Sequence, residues 1–378
     1  MLALFSAGFA TFALLYCVQP LMPVFARDFH VSAAESSLSL SLTTGLLAPA
    51  MIIAGLVSES RGRKPLMVAS LLASSVLMLI CALVRSWTML LALRALAGIT
   101  FAGLPAISLA YLSEELDTTS VGLGVGLSIG GNGLGGMSGR LITGLIADAL
   151  SWRWSLGAIG LLGVVATVVF WRTLPESRHF QPRPTRVRAL FAVFRAQLGD
   201  RRLVPLFAIG FLLMGSFVTS YNYITYRLVA PPFSLSQAAV GLIFSVYLVG
   251  IFAAGYIGGR ADRVGRGRML LSMVGVMLAG LALTLVPSLA VVIVGIATIT
   301  FGFFGGHSVA SSWVGLRAAE AKAQGAALYL FCYYLGSSLA GSVGGIFWDL
   351  AHWPGVAGFM AVMLAIALFS AVVTAKNN

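Results

Sequence analysis

The stretch GGRADRVGRGR at residues 258–268 decides how this chain folds, because it gathers four arginines and one aspartate into eleven positions. Only 10% of all residues in the chain are charged. The preceding segment 238–257 and the following segment 269–286 contain no charged residue. Each is about as long as a helix that crosses the ~30 Å hydrocarbon core of a bilayer, which takes roughly 17–25 residues. The pattern predicts a short charged loop between two membrane-spanning helices.

The same composition extends along the whole chain. Over 378 residues, 59% are hydrophobic and the mean hydropathy is +0.96, whereas soluble domains are about half apolar and a quarter charged. Strands of a transmembrane barrel would alternate polar and apolar residues over about 10 positions, but these runs are apolar throughout. We therefore predict an all-α membrane protein with twelve transmembrane helices. The predicted spans are 2–25, 36–57, 66–84, 89–112, 121–147, 154–171, 203–226, 238–258, 269–286, 289–314, 326–348 and 356–374.

The basic residues are distributed unevenly between the predicted loops. Loops on one side hold eighteen of the 24 Lys and Arg residues, and loops on the other side hold four, namely Arg27, Arg85, Arg153 and Arg227. The positive-inside rule places the richer side in the cytoplasm, together with both termini. Orientation in the lipid bilayer thus explains the net charge of +12, and we expect no nucleic-acid partner.

Three sequence echoes indicate an internal repeat. GLVSESRGRK at 55–64 matches GGRADRVGRG at 258–267 in its pattern of Gly, three residues, an acid, two residues, Gly and Arg, at an offset of 203. Two further echoes begin at residues 99 and 299 and at residues 144 and 345, with offsets of 200 and 201. We predict two pseudo-symmetric six-helix bundles, 1–172 and 203–378.

A linker at 173–202 joins the two predicted bundles. Three prolines in its first part, 173–186, disfavour a continuous helix. Its second part, VRALFAVFRAQLGDRR at 187–202, places apolar residues among arginines. That composition favours a short amphipathic helix on the anionic cytoplasmic leaflet, and a merely solvated linker is the alternative.

Several motifs in this arrangement resemble those of the major facilitator superfamily. The two charged loops look like two copies of its motif A, and LLALRALAGITFA at 90–102 looks like its motif B. GNGLGG at 131–136 is similar to motif C of antiporters, although Asn132 stands where that motif has proline. The resemblance covers the whole chain and points to the drug/proton antiporter branch of bacterial inner-membrane exporters. It implies the major facilitator fold, a small-molecule substrate and a location in the cytoplasmic membrane.

The resemblance also implies a gating latch on the cytoplasmic side. The motif A acids would meet the positive ends of helices 11 and 5, and the motif A arginines would meet acids at the ends of helices 4 and 10. These contacts would cross between the halves. The expected latch residues are Gly55, Glu59, Gly62 and Arg63 in the first copy, Gly258, Asp262, Gly265 and Arg266 in the second, with Glu114 or Glu115 and Glu320 as partners.

Polar residues inside the spans are candidates for a substrate and proton pathway. No acid lies in the middle of a predicted span, and the ionisable groups there are Arg94, Arg140 and His307; such groups are functional candidates by default because burying them is costly. Arg140 is more readily explained as reaching toward the outer interface, and His307 is equally explained as a core histidine. Helices 1, 4, 7 and 10 line a midplane cavity in this family, so the resemblance adds further candidates. These are Tyr16, Gln19, Asn132, Tyr221 and Asn222.

The predicted function is secondary transport, with proton-coupled efflux of small amphipathic molecules by alternating access. The alternative is a proton symporter or facilitator for a small, anionic nutrient that Arg94 would bind directly. No nucleotide-binding motif or catalytic constellation is evident in the sequence, so we expect no enzyme activity, no cofactor and no metal. We expect the protein to act as a monomer.

Overall fold

The computed structural model describes residues 2–115, 118–177, 180, 187–318 and 321–376. These residues form helices joined by short turns, with no strand among them. Ten helices of the described part are long and apolar enough to cross a membrane. The main helices are α1 Leu2–Phe29, α2 Ala33–Arg61, α3 Arg63–Cys81, α4 Trp87–Phe101 with Gly103–Glu115, α5 Thr118–Ala149, α6 Trp152–Thr173, α7 Val204–Val229, α8 Gln237–Gly258, α9 Arg266–Leu283, α10 Leu289–Arg317, α11 322–350 and α12 353–376.

Two features bring the ten apolar helices to the predicted twelve. The continuous stretch Lys322–Lys376 has non-helical backbone angles at Ala351 and His352, so it consists of two helices. Pro354 lies just beyond this break, where proline is tolerated because the first turn of a helix leaves its N–H groups unpaired. Thr118–Ala149 adds one more helix of 32 residues. The predicted all-α membrane fold is confirmed.

The two motif A loops share a glycine with positive φ at equivalent positions. Gly62 has φ 92° and Gly265 has φ 95°, a left-handed region that glycine adopts without steric cost. Each glycine directly precedes a helix, α3 in the first loop and α9 in the second. The internal repeat read from the sequence therefore extends to the φ angles of these two glycines.

The chain divides into two compact units whose limits differ from those of the predicted bundles. Unit 1 comprises Met1–Val31, Leu38–Thr185 and Ser234–Ser245, and unit 2 comprises the rest of the chain. The start of α8 thus belongs to unit 1, and Ser32–Ser37 at the start of α2 belongs to unit 2. The division into bundles at 1–172 and 203–378 stays a prediction.

Glycines set the closest helix contacts in unit 1. An added Cβ at Gly131 would lie 2.5 Å from the carbonyl oxygen of Phe5, and one at Gly139 would lie 2.6 Å from the Cα of Ala13. Because both positions leave no room for a side chain, α5 packs directly on the backbone of α1. This close packing fixes where the polar residues of α1 and α5 face each other.

The linker contains the predicted helix, which spans Val187–Gly199. Phe194 and Gln197 are buried on one face, and the Gln197 side-chain amide donates to the carbonyl of Ala321 at 3.1 Å within unit 2. Phe191 and Leu198 are exposed on another face. One face of this helix therefore packs within unit 2 and another exposes apolar side chains, and its amphipathic character and its position on the cytoplasmic leaflet stay predictions.

Candidate functional site

Arg94 is completely buried in unit 1 and binds backbone carbonyls. Its Nε donates to Ser39 at 2.8 Å, its Nη1 to Leu14 at 3.2 Å and its Nη2 to Leu15 at 2.8 Å. Thr43 on α2 donates in turn to the carbonyl of Arg94 at 2.8 Å. The guanidinium therefore joins α1, α2 and α4, and in this structure it offers no exposed surface to a substrate.

The break in α1 explains why carbonyls are available to Arg94. The first part of α1 ends at Tyr16, and a short 3₁₀ turn follows at Gln19–Leu21. Pro20 in that turn cannot donate a hydrogen bond, and the last four carbonyls of a helix lack intrahelical partners. Leu14 and Leu15 lie in that last turn. A cation at the carboxyl end of a helix is also favoured by the helix dipole.

Arg140 lies inside unit 1, so the expectation that it reaches the outer interface is wrong. Only 1% of the residue is exposed. Its Nε donates to Gln19 Oε1 at 2.6 Å and its Nη1 donates to the carbonyl of Gly136 at 2.5 Å. Its guanidinium carbon lies 4.5 Å from the ring centre of Tyr16 and 5.2 Å from that of Phe244. Close packing of α5 on α1 keeps the Arg140 side chain inside unit 1. There the Gln19 amide, the Gly136 carbonyl and the two aromatic rings take the place of water around the guanidinium.

Gln19 and Tyr16 are consequently not wall residues of an open pathway in this structure. Gln19 is fully buried and Tyr16 is buried beside it. Both contact Arg140, the amide through its oxygen and the phenol through its ring face. Their positions suit solvation of a buried cation.

Tyr221 and Asn222 also lie in the core, in unit 2. Both residues are buried, and Tyr221 Oη is 2.7 Å from Thr300 Oγ1 on α10. The ring of Phe217 lies one helical turn away and contacts Tyr221. The expectation that these two side chains line an open cavity does not match their burial, because α7 packs closely against α10 and α11 at this depth.

His307 on α10 lies in an aromatic cluster of unit 2. It is half-buried, and its Nδ1 is 2.9 Å from Tyr329 Oη on α11. Its ring lies 4.8 Å from the ring of Tyr333 and stacks on Phe303 at 6.0 Å. A histidine with a phenol partner can exchange a proton or act as a packed core residue, so both interpretations of His307 stay open here.

The first motif A loop holds a two-bond ion pair. Arg63 Nη2 lies 2.7 Å from Glu114 Oε1, and Arg63 Nε lies 3.1 Å from Glu114 Oε2. Arg63 Nη1 also donates to Ser58 Oγ at 2.5 Å. Of the two predicted alternatives, Glu114 and Glu115, Glu114 is the partner. The pair lies within unit 1, so the expectation that this contact crosses between the halves is wrong.

The second motif A loop differs from the first in its ion pair. Arg266 Nε and Nη2 donate to Asp262 Oδ1 at 2.7 and 2.5 Å. Asp262 lies in the one-turn helix Ala261–Val264, and Arg266 begins α9 four positions later, on the other side of Gly265. The predicted partner Glu320 lies outside the described residues. For Glu59, the contact with another helix end stays a prediction.

A small cavity in unit 1 lies among α1, α4 and α5. Its lining combines apolar groups with hydroxyls and one amide: Thr11, Phe12, Pro105, Ser108, Ser128 and Asn132. Thr11 is 3% exposed, and its Oγ1 has no hydrogen-bond partner among the described residues. Of the residues in the cavity lining, the sequence had indicated Asn132. Thr11 is adjacent to Phe12 on α1, and Ser128 precedes Asn132 by four positions on α5. This spacing is the sequence signal that could have indicated the other residues of the cavity lining.

These features define a class of protein, a polytopic helical membrane protein with two repeated charged loops and a polar cavity among its spans. The chain belongs to the Major Facilitator Superfamily, whose family description matches residues 4–230. It is 50% identical over 367 residues to the MFS-type transporter YybF of Bacillus subtilis (strain 168), covering 97% of this chain and 91% of YybF. It is 50% identical over 367 residues to the inner membrane transport protein YnfM of Escherichia coli (strain K12), covering 97% and 88%.

The fold is also that of a solved transporter. A bacterial homologue of the human lysosomal transporter Spinster, in an inward-facing and unoccupied conformation, superposes with a TM-score of 0.78. The match covers 99% of this chain and 95% of that one at 14% identity, so it shows the fold alone. The protein is a multi-pass membrane transporter of this superfamily.

Proposed function

We propose that the protein is a secondary exporter that couples efflux of small amphipathic molecules to protons by alternating access. The cavity of unit 1 is the observation that carries this proposal. Phe12, Leu104 and Pro105 give it an apolar side, and Ser108 and Asn132 give it a polar side. Ligand sites that combine an apolar wall with a few hydrogen-bonding groups suit molecules of mixed polarity.

The alternative function, import of an anionic nutrient, depended on Arg94 as an anion-binding group. In this structure Arg94 is fully buried and its guanidinium binds three carbonyls. The lining of the cavity includes no basic side chain. Both observations favour efflux of amphipathic molecules over import of an anion.

His307 is the proposed site of proton coupling. The two other ionisable groups deep in the described spans are Arg94 and Arg140, and arginine stays protonated at physiological pH. Imidazole is the side chain that changes charge in that range when unperturbed. Tyr329 Oη, at 2.9 Å, provides a hydrogen-bond partner that responds to the protonation of His307. Coupling through histidine would replace the carboxylate that antiporters of this branch often carry in helix 1.

Location and orientation complete the proposal. We place the protein in the bacterial cytoplasmic membrane, with both termini and the linker in the cytoplasm, because the arginine-rich loops lie on that side by the positive-inside rule. The antiporter-like motif at 131–136 supports the direction of transport. The protein acts as a monomer in this proposal.

Uptake into everted membrane vesicles tests the direction and the coupling. The probe is radiolabelled phenyl glucoside, an uncharged amphipathic molecule with low passive permeability. We expect respiring everted vesicles, whose lumen is acidic, to accumulate the probe, and a protonophore to abolish the accumulation. Accumulation by right-side-out vesicles and not by everted ones would show import and overturn the proposal.

A further inference from the structure

We propose that the linker helix, Val187–Gly199, binds anionic lipid headgroups through one exposed side and connects that contact to α10 and α11. The partner is a bilayer surface that carries negative charge. The inference goes beyond the proposed function, because it concerns neither the substrate nor the direction of transport. It is carried by the faces of the helix, by its closeness to α7, by its charge and by its contacts within unit 2.

The linker helix has one side on the protein and another side uncovered. Phe194 and Gln197 are buried, whereas Phe191 is 67% exposed and Leu198 is 53% exposed. Positions 191 and 198 are seven residues apart, so they lie on the same side of a helix. Arg195 is exposed on that side between them. Large apolar side chains next to a cation suit the boundary between lipid headgroups and acyl chains.

The connection to α7 keeps the linker helix close to the bilayer. Only four residues separate its end at Gly199 from the start of α7 at Val204. These residues form a tight turn, since the N–H of Asp200 donates to the carbonyl of Gln197 at 3.2 Å and the N–H of Val204 donates to that of Asp200 at 3.1 Å. Because α7 is long and apolar enough to cross the membrane, a helix joined so closely to its first turn lies within reach of the headgroups.

The charge of this region fits an anionic surface. The segment 187–202 holds four arginines and one acid, Asp200. Arg195, Arg201 and Arg202 are exposed, as is Lys322 at the start of α11. Among the residues that the structure describes, no ion pair involves these four basic side chains. Lipid phosphates can therefore serve as their counter-charges, and basic side chains close to an anionic leaflet are attracted to it.

Two hydrogen bonds connect the linker to α10 and α11. Gln197 Nε2 donates to the carbonyl of Ala321, directly before α11, at 3.1 Å. Arg317, the last residue of α10, donates from Nη1 to the carbonyl of Arg202 at 2.7 Å. The linker thus holds one end of each of the two helices that carry the proposed proton-coupling pair. A linker helix fixed on lipid restrains these two helix ends as well.

Hydrogen–deuterium exchange of the full-length protein in lipid nanodiscs tests the proposal. One set of nanodiscs contains phosphatidylcholine alone, and the other contains equal parts of phosphatidylcholine and phosphatidylglycerol. We expect the amides of 187–199 to exchange at least five-fold more slowly in the anionic nanodiscs. High salt should remove most of this difference, because it screens exposed charges. Equal exchange in the two lipids would overturn the proposal.

Two double variants with the same number of serines identify the side that binds. Phe191→Ser with Leu198→Ser should abolish the effect of phosphatidylglycerol on 187–199. The matched control is Ala192→Ser with Ala196→Ser, which should keep it. Both alanines are exposed, and they lie about 100° and 140° around the helix from Phe191. A lipid effect that persists in Phe191→Ser with Leu198→Ser would overturn the proposal. Slow exchange in both lipids that only this variant loses would show that protein covers this side, and it would overturn the proposal too.

Gln197→Leu tests the connection to α11. In wild type, the amides of 321–328 should slow together with those of 187–199 when phosphatidylglycerol is present. Leucine keeps the buried side chain but cannot donate to the Ala321 carbonyl, so Gln197→Leu should keep the lipid effect at 187–199 and lose at least half of it at 321–328. An undiminished effect at 321–328 would contradict this connection.

The design separates this inference from the proposed function. Both leaflets of a nanodisc have the same composition, and no substrate or gradient is used, so the result does not depend on orientation or on transport. Failure of the everted vesicles to accumulate phenyl glucoside would contradict the exporter alone. Exchange at 187–199 that ignores phosphatidylglycerol would contradict the lipid contact alone.

Discussion

At the scale of single residues, the two buried arginines show what a sequence can and cannot tell. Burial of Arg94 and Arg140 follows from their place in apolar spans. Their partners do not, because Arg94 binds carbonyls that become available only where α1 ends its first helical part at Tyr16. Hydropathy reports burial, and it does not report such an interruption of backbone hydrogen bonding.

Replacement of Arg94 tests its structural role. Arg94→Ala leaves the carbonyls of Leu14, Leu15 and Ser39 buried without this donor, and each buried group that loses its partner costs about 1–3 kcal/mol. We expect a melting temperature lower by many degrees, and only partial recovery in Arg94→Lys, whose ammonium cannot reproduce the planar set of donors.

Arg85→Ala serves as the control for Arg94→Ala, because Arg85 is exposed in the loop between α3 and α4. It should melt at the wild-type temperature. If Arg94→Ala instead melted like wild type and failed only in transport, Arg94 would be a substrate-binding residue and the structural account would be wrong.

At the scale of helices and loops, the sequence predicted more of the fold. Spans of about 20 apolar residues are specified by hydropathy alone, and the repeated Gly pattern of the charged loops corresponds to similar positive φ angles at Gly62 and Gly265. The ion pairs of the loops were less predictable. Arg63 pairs with Glu114 on another helix, but Arg266 pairs with Asp262 in its own loop, although Glu59 stands at the same four-residue distance before Arg63.

The two ion pairs should differ in their effect on stability. The Arg63 side chain is 10% exposed and that of Glu114 is 30% exposed, whereas the Asp262 side chain is 74% exposed. Exposed ion pairs contribute about 0–1 kcal/mol, and loss of one partner from a buried pair costs about 3–5 kcal/mol. We expect Glu114→Gln to lower the melting temperature by several degrees and Asp262→Asn to change it little. Equal melting temperatures of the two variants would contradict this assignment.

At the scale of the whole molecule, membership in the superfamily and the architecture of twelve helices follow from the sequence and are matched by the structure. The pathway residues are a different case. Tyr16, Gln19, Tyr221 and Asn222 are polar or aromatic residues that the sequence placed near a cavity, yet all four are buried in helix contacts. Residue type does not reveal which face of a helix meets a neighbour when every face is apolar, and Thr11 was missed for the same reason.

Proton-driven accumulation by His307→Gln tests the central claim most directly. Glutamine keeps a hydrogen-bonding group near Tyr329 but cannot change its charge, so the variant should still bind phenyl glucoside and let it equilibrate. The control is His30→Asn, since His30 is exposed at the end of α1. The measurement is uptake of phenyl glucoside by proteoliposomes with an imposed proton gradient. The account predicts accumulation above equilibrium by wild type and His30→Asn and none by His307→Gln, and uphill accumulation by His307→Gln equal to wild type would contradict it.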